Sequence, residues 1–75
     1  RIIITVRTSG FSRPKYEFYL RTADGQEKLG RKASTSNTWA WLPVKEGRYT
    51  IVVKVSDKKL TEKAELSYNI TRILN

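Results

Sequence analysis

The stretch Asn37-Thr-Trp-Ala-Trp-Leu-Pro-Val-Lys-Glu-Gly-Arg-Tyr-Thr-Ile-Val-Val-Lys-Val-Ser-Asp57 decides the fold. Trp39 and Trp41 share one parity while Ala40 takes the other, and Pro43 ends that strand because it cannot donate to a ladder. After the turn, Tyr49, Ile51, Val53 and Val55 alternate with Thr50, Val52, Lys54 and Ser56, the period of two that a half-buried strand requires. Leu42, Gly47 and Tyr49 also have the spacing of a tyrosine corner, in which a tyrosine opening a strand bonds its hydroxyl to the backbone just upstream. The segment therefore predicts two strands from the centre of a β-sandwich, with Trp39, Trp41, Tyr49, Ile51, Val53 and Val55 pointing inward.

The same alternation extends outward from this centre. Ile2, Ile4, Val6 and Thr8 share one face of a first strand, with Ile3, Thr5 and Arg7 on the other. A turn at Gly10 and a loop punctuated by Pro14 lead to a second strand with Tyr16, Phe18 and Leu20 inward and Lys15, Glu17, Tyr19 and Arg21 outward. Asp24-Gly25 marks a turn. It leads into Glu27 to Lys32, a short edge strand protected by its charges, and Ala33 to Asn37 reads as polar loop. Beyond the central segment, Asp57 to Glu62 is a charged turn. Ala64, Leu66, Tyr68 and Ile70 then make the last inward set, and the chain leaves through Arg72 to Asn75. Lys58 to Glu65 has enough intrinsic propensity to suggest a helix, but it lacks an apolar stripe and a stop signal, so a strand is expected. Six to seven short strands with regular turn signals predict an all-β fold, an antiparallel immunoglobulin-like or fibronectin III-like β-sandwich. Its core is expected from Ile4, Val6, Phe18, Leu20, Trp41, Tyr49, Ile51, Val53, Leu66, Tyr68 and Ile70.

Seventy-five residues make one domain, 1–75, and a chain of this size buries only about 60% of its unfolded surface, so every apolar strand face has to be used. The chain starts at Arg1 without any Met or leader-like apolar region and is expected to be a domain excised from a longer protein. No apolar run approaches the roughly 20 residues of a membrane span, so no membrane insertion is expected. Fifteen Lys and Arg against seven acids give a formal charge of +8, a field able to attract an anionic polymer or an acidic protein surface. The basic residues are scattered, however, and only Arg31-Lys32 and Lys58-Lys59 are adjacent.

The residue inventory argues against catalysis. With no His and no Cys, the commonest general base, the soft metal ligand and the thiol nucleophile are missing, and nothing stands ready to activate a serine. The carboxylates fall at outward or turn positions, where no burial raises their pKa for acid work. Asp24-Gly25 and Asp57-Lys58 resemble fragments of calcium loops, but calcium takes roughly six to eight oxygens and each turn offers one or two acids beside lysines. The glycines are isolated, and none opens a helix as a phosphate loop would. No catalytic residue, cofactor or metal site is predicted. Trp39 and Trp41 could stack on sugars or bases if exposed, but their shared inward parity assigns them to the core, with Trp39 the more exposed.

Tyr19 is the exception among the tyrosines, since alternation places it outward. The second strand is expected to pair with the strand from Arg48 to Ser56. That pairing would assemble Lys15, Tyr19, Arg21, Arg48, Val52 and Lys54 into an aromatic and basic contact face for a neighbouring domain or a polyanion.

From Tyr16 to Ile70 the chain resembles the bacterial triple-tyrosine (Y_Y_Y) domain. The resemblance is carried by Tyr-Glu-Phe-Tyr-Leu at 16–20, Asn-Thr-Trp-Ala-Trp-Leu-Pro at 37–43, Gly-Arg-Tyr-Thr-Ile-Val-Val-Lys-Val-Ser-Asp at 47–57 and Leu-Ser-Tyr-Asn-Ile at 66–70. The tyrosines of that pattern fall on Tyr16 or Tyr19, Tyr49 and Tyr68, and the chain departs from it in the weak region from Glu27 to Ser36. The resemblance implies an accessory unit in the extracytoplasmic part of a bacterial surface or two-component sensor protein, where such domains space or present their neighbours. It supplies no catalytic residues. The expectation is a non-catalytic module, monomeric in isolation, whose partners are neighbouring domains. The alternative is a binding module that takes an anionic glycan, wall polymer or nucleic acid on the basic face around Tyr19.

Overall fold

Alternating side chains become strands only when neighbours complete their ladders, and the computed structural model, which describes residues 1–43 and 45–71, shows those neighbours. Among the described residues six strands form and no helix: β1 (Ile2–Thr5), β2 (Lys15–Thr22), β3 (Glu27–Ser34), β4 (Thr38–Trp41), β5 (Gly47–Ser56) and β6 (Thr61–Ile70). They make two antiparallel sheets, a two-stranded β1-β4 pair laid over a four-stranded sheet of order β3-β2-β5-β6. The fold is an all-β sandwich.

Most local readings hold. β5 is central, paired to β2 on one side and β6 on the other, and the segment from Lys58 onward enters a strand at Thr61. The Tyr49 hydroxyl donates to the Lys45 carbonyl oxygen at 2.6 Å, the expected tyrosine corner. Gly47 opens β5 with φ +147°, a conformation that L side chains rarely adopt. Leu42, the third residue of that spacing, is exposed and contributes no cover. The Asp24-Gly25 turn is closed by Gly25 N–H to Thr22 O and Thr22 N–H to Gln26 O, at 3.0 and 2.8 Å.

The core lies between the two sheets: Ile4, Tyr16, Phe18, Trp41, Tyr49, Ile51, Val53 and Val55 are buried together. An aromatic chain runs through it. Phe18 meets Trp39 with ring centroids 5.9 Å apart, Trp39 stacks on Trp41 at 6.2 Å, and Trp41 makes edge contacts with Tyr49 at 5.1 Å and Tyr68 at 5.9 Å. Trp41 is thereby the central ring, while Trp39 is only half-buried.

Three expectations about extent and cover are corrected. The first strand ends at Thr5 rather than Thr8; its continuation is tied down instead by Asn37, whose backbone oxygen accepts Val6 N–H at 2.9 Å and whose side-chain amide donates to Val6 O at 2.8 Å. The edge strand is longer than its composition suggests, continuing through Ala33 to Ser34 because β2 offers it a full-length partner. Leu66 lies on the inward face of β6, opposite Ile51, yet it is 50% exposed. The physical reason is the width of the upper sheet: two strands cannot cover four. β4 lies on the β3 side, with Arg31 donating to Thr38 O at 3.0 Å and the Trp39 ring seated over Gly30. Among the described residues β1 pairs with β4 alone, and the inward face of β6 around Ala64 and Leu66 stays open. The predicted exit segment, 72–75, lies outside the described residues, as does Val44.

Candidate functional site

The contact face expected around Tyr19 assembles in register but not in character. β2 and β5 pair as expected, setting Tyr19 opposite Val52, Glu17 opposite Lys54, Arg21 opposite Thr50 and Lys15 opposite Ser56. On the flanks, Leu29 lies opposite Tyr19, Glu65 opposite Val52, Lys63 opposite Lys54 and Asn69 opposite Arg48. Tyr19, Arg21, Val52 and Lys54 therefore share one outer sheet face. Lys15 stands at one end of it and Arg48 at the other, and the six-residue rise from Lys15 to Arg21 alone spans about 20 Å.

Val52 is corrected: it is on the predicted face but only 2% exposed. Its strand is central, Tyr19 and Glu65 flank it, and the Arg21 side chain must cross β5 to reach Glu65. That long stem shields apolar surface while its charged head stays paired. The Arg21 guanidinium bonds the Glu27 carboxylate at 3.1 Å and Glu65 at 3.2 Å, and these two carboxylates, Glu65 foremost, push its pKa further above the usual arginine value. Beside it, the Glu17 carboxylate pushes the Tyr19 phenol above the ordinary tyrosine range, with partial burial adding to the effect. Carboxylates thus interleave with the cations around Tyr19. The face is a mixed surface in which Arg21 is ion-paired, with Leu29, 54% exposed, beside the tyrosine.

A second assembly forms at the end of the sandwich where the β1–β2 connection meets the β5–β6 turn. Asp57 organises it. One carboxylate oxygen accepts Lys59 N–H and Leu60 N–H at 2.7 Å each, the other accepts Ser12 N–H at 2.9 Å, and Asp57 N–H closes the turn on Leu60 O at 2.9 Å. These three backbone donors, Ser12 first, hold the Asp57 carboxyl below the usual carboxylate range. Tied together this way, the two loops enclose an open basin of about 1040 Å³ whose rim carries Arg13, Lys15, Lys58 and Lys59. Lys15 is the one residue of the predicted contact set that belongs here. The others were not legible as a site because Ser12 and Asp57 are 45 residues apart; the only local signal was the Lys58-Lys59 doublet beside a turn-forming aspartate.

Among the described residues no three of Asp, Glu, His and Cys gather closely enough to hold a metal ion. Among those residues no helix is long and apolar enough to cross a membrane. Comparison of the chain with family models, curated proteins and solved structures yields no match. The resemblance to triple-tyrosine domains therefore stands on the quoted residues alone.

Proposed function

We propose that this chain is a non-catalytic immunoglobulin-like accessory module of a multidomain bacterial surface or sensor protein, which spaces or presents a neighbouring domain. The observation that carries the reading is the open flank of the sandwich. There, Ala64 and Leu66 on the inward face of β6 are exposed, and among the described residues β1 has a strand partner on one edge alone. A cleft of about 270 Å³ with Val6, Phe11, Val55 and Ala64 in its lining continues the same flank. Exposed apolar surface and an unpartnered strand edge are what a neighbouring segment covers when it docks against a sheet. The triple-tyrosine resemblance supports the extracytoplasmic setting, and the tyrosine corner with its aromatic chain supports a body rigid enough to transmit geometry.

The reading is tested by amide hydrogen exchange on the domain alone and within its parent polypeptide. Protection gained along β1 and at Ala64 and Leu66 in the longer chain is the expected result. Identical exchange in both contexts would overturn the docking role of this flank.

A further inference from the structure

The basin at the Asp57 end has features that a spacer does not need. Four cations, Arg13, Lys15, Lys58 and Lys59, line it and all are exposed. Among the described residues the ion pairs within 4.0 Å are the two made by Arg21, so none of these four has a carboxylate partner there. The one acid in the lining, Asp57, already accepts three backbone N–H groups and makes no ion pair with the cations. Arg13 holds a left-handed φ of 52° directly before Pro14, an uncommon conformation for a side-chain-bearing residue. Like-charged groups repel, so holding four in one concavity with a single carboxylate among them costs free energy that a bound anion would recover.

The ligand class follows from shape and lining. The basin matches or exceeds the roughly 300–1,000 Å³ of a small-molecule pocket and is open to solvent, which suits a chain passing through rather than a molecule enclosed. Its polar lining includes the hydroxyl-bearing Ser12 and Ser56, and it contains no aromatic ring. Single-stranded nucleic acids are normally gripped by stacking bases on aromatic rings as well as by backbone charge, and this site provides charge and hydroxyls only. We propose that the basin between the β1–β2 loop and the 57–60 turn is a binding site for an anionic polysaccharide bearing sulfate or phosphate groups. The site shares Lys15 with the Tyr19 face but differs from it in being concave and in having one acid in its lining, whereas Glu17, Glu27 and Glu65 interleave with the cations of that face.

The test is a fluorescence-anisotropy titration of the intact chain with a labelled sulfated heparin oligosaccharide at about 50 and 200 mM salt, the range over which charge-driven binding falls steeply. The variant K58A/K59A is compared with R48A/K63A, which removes the same two charges from the outer sheet face. The basin variant is expected to lose about tenfold in affinity at the lower salt and to show a shallower salt dependence, since fewer contacts release counterions. The outer-face variant should stay within about twofold. Asp57→Ala separates a built site from bulk charge: it makes the protein more positive, yet unpinning the loops should weaken binding about threefold through lost preorganisation. Equal losses in the two double variants, tighter binding by Asp57→Ala, or no saturable binding at the lower salt would each overturn the proposal. So would tighter binding of a single-stranded DNA of equal charge. Amide spectra of each variant establish that it is folded; should Asp57→Ala unfold, the paired double variants decide.

Discussion

At the scale of single residues, two polar groups hold connections that apolar burial cannot reach. The Tyr49 hydroxyl spans the turn before β5 to the Lys45 carbonyl. A net hydrogen bond contributes about 0.5–1.5 kcal/mol, and Lys45 is exposed, so water can replace the lost donor. Tyr49→Phe is therefore expected to cost about 1 kcal/mol, read as a lower urea midpoint at unchanged slope. Asp57 holds the other connection. Its folded-state pKa is depressed by backbone N–H donors, so its stabilisation is present above the unfolded carboxyl value near 3.9 and is lost as pH falls through the lower folded value. Asp24 behaves alike, held down first by the Thr22 hydroxyl and then by Gln26 N–H. Melting temperature against pH should therefore drop below about pH 4 in the wild type and drop less in Asp57→Asn, which lacks the titrating group. An unchanged acid limb in the variant would show that the carboxylate does not tie the loops.

At the scale of elements, the junction of β3 with β4 depends on one missing side chain. The register of β2 with β3 jumps between Phe18 and Tyr19, whose partners are Arg31 and Leu29, so Gly30 is the bulged residue. A Cβ on Gly30 would sit 2.6 Å from Trp39 Cζ2 and 2.8 Å from Cη2. The indole cannot simply rotate away, because it is packed against Phe18 and stacked on Trp41. Gly30→Ala is expected to cost about 1–3 kcal/mol by overpacking. In a Trp39→Leu background the same change should cost under about 0.5 kcal/mol, giving a coupling that a double-mutant cycle measures. An isolated glycine in a strand signals a bulge or a close approach, and this one is both. The sequence carried that signal, but nothing local said that Trp39, nine positions on, is the ring that comes close.

At the scale of the molecule, one small core supports both sheets. Trp41 touches rings on β4, β5 and β6, and its truncation is expected to cost about 3–5 kcal/mol. A domain of this length has a total stability of about 4–11 kcal/mol, so Trp41→Ala should lose a large share of it and melt far below the wild type. Near-wild-type melting of that variant would refute the central place given to this ring. Leu66 makes the contrast: it shares the inward parity of Ile51, its cross-strand partner, but one is fully buried and the other half exposed.

The period-two alternation by itself determined where the strands lie and which way they face, and the Gly47-to-Tyr49 spacing gave the tyrosine corner, because each follows from local backbone geometry and turn chemistry; the β2–β5 pairing was expected from the sandwich topology. The alternation also placed Trp41 inside and Tyr19 outside. It could not say whether a given face would be covered, since cover depends on how many strands the opposite sheet contributes. Only the tertiary structure exposes Leu66 beneath a two-stranded layer, buries Val52 below the Arg21–Glu65 crossing, and joins Ser12 and Arg13 to the Asp57 turn. Those outcomes are set by contacts distant in sequence, where residue type fixes what a side chain can do and the fold fixes what it meets.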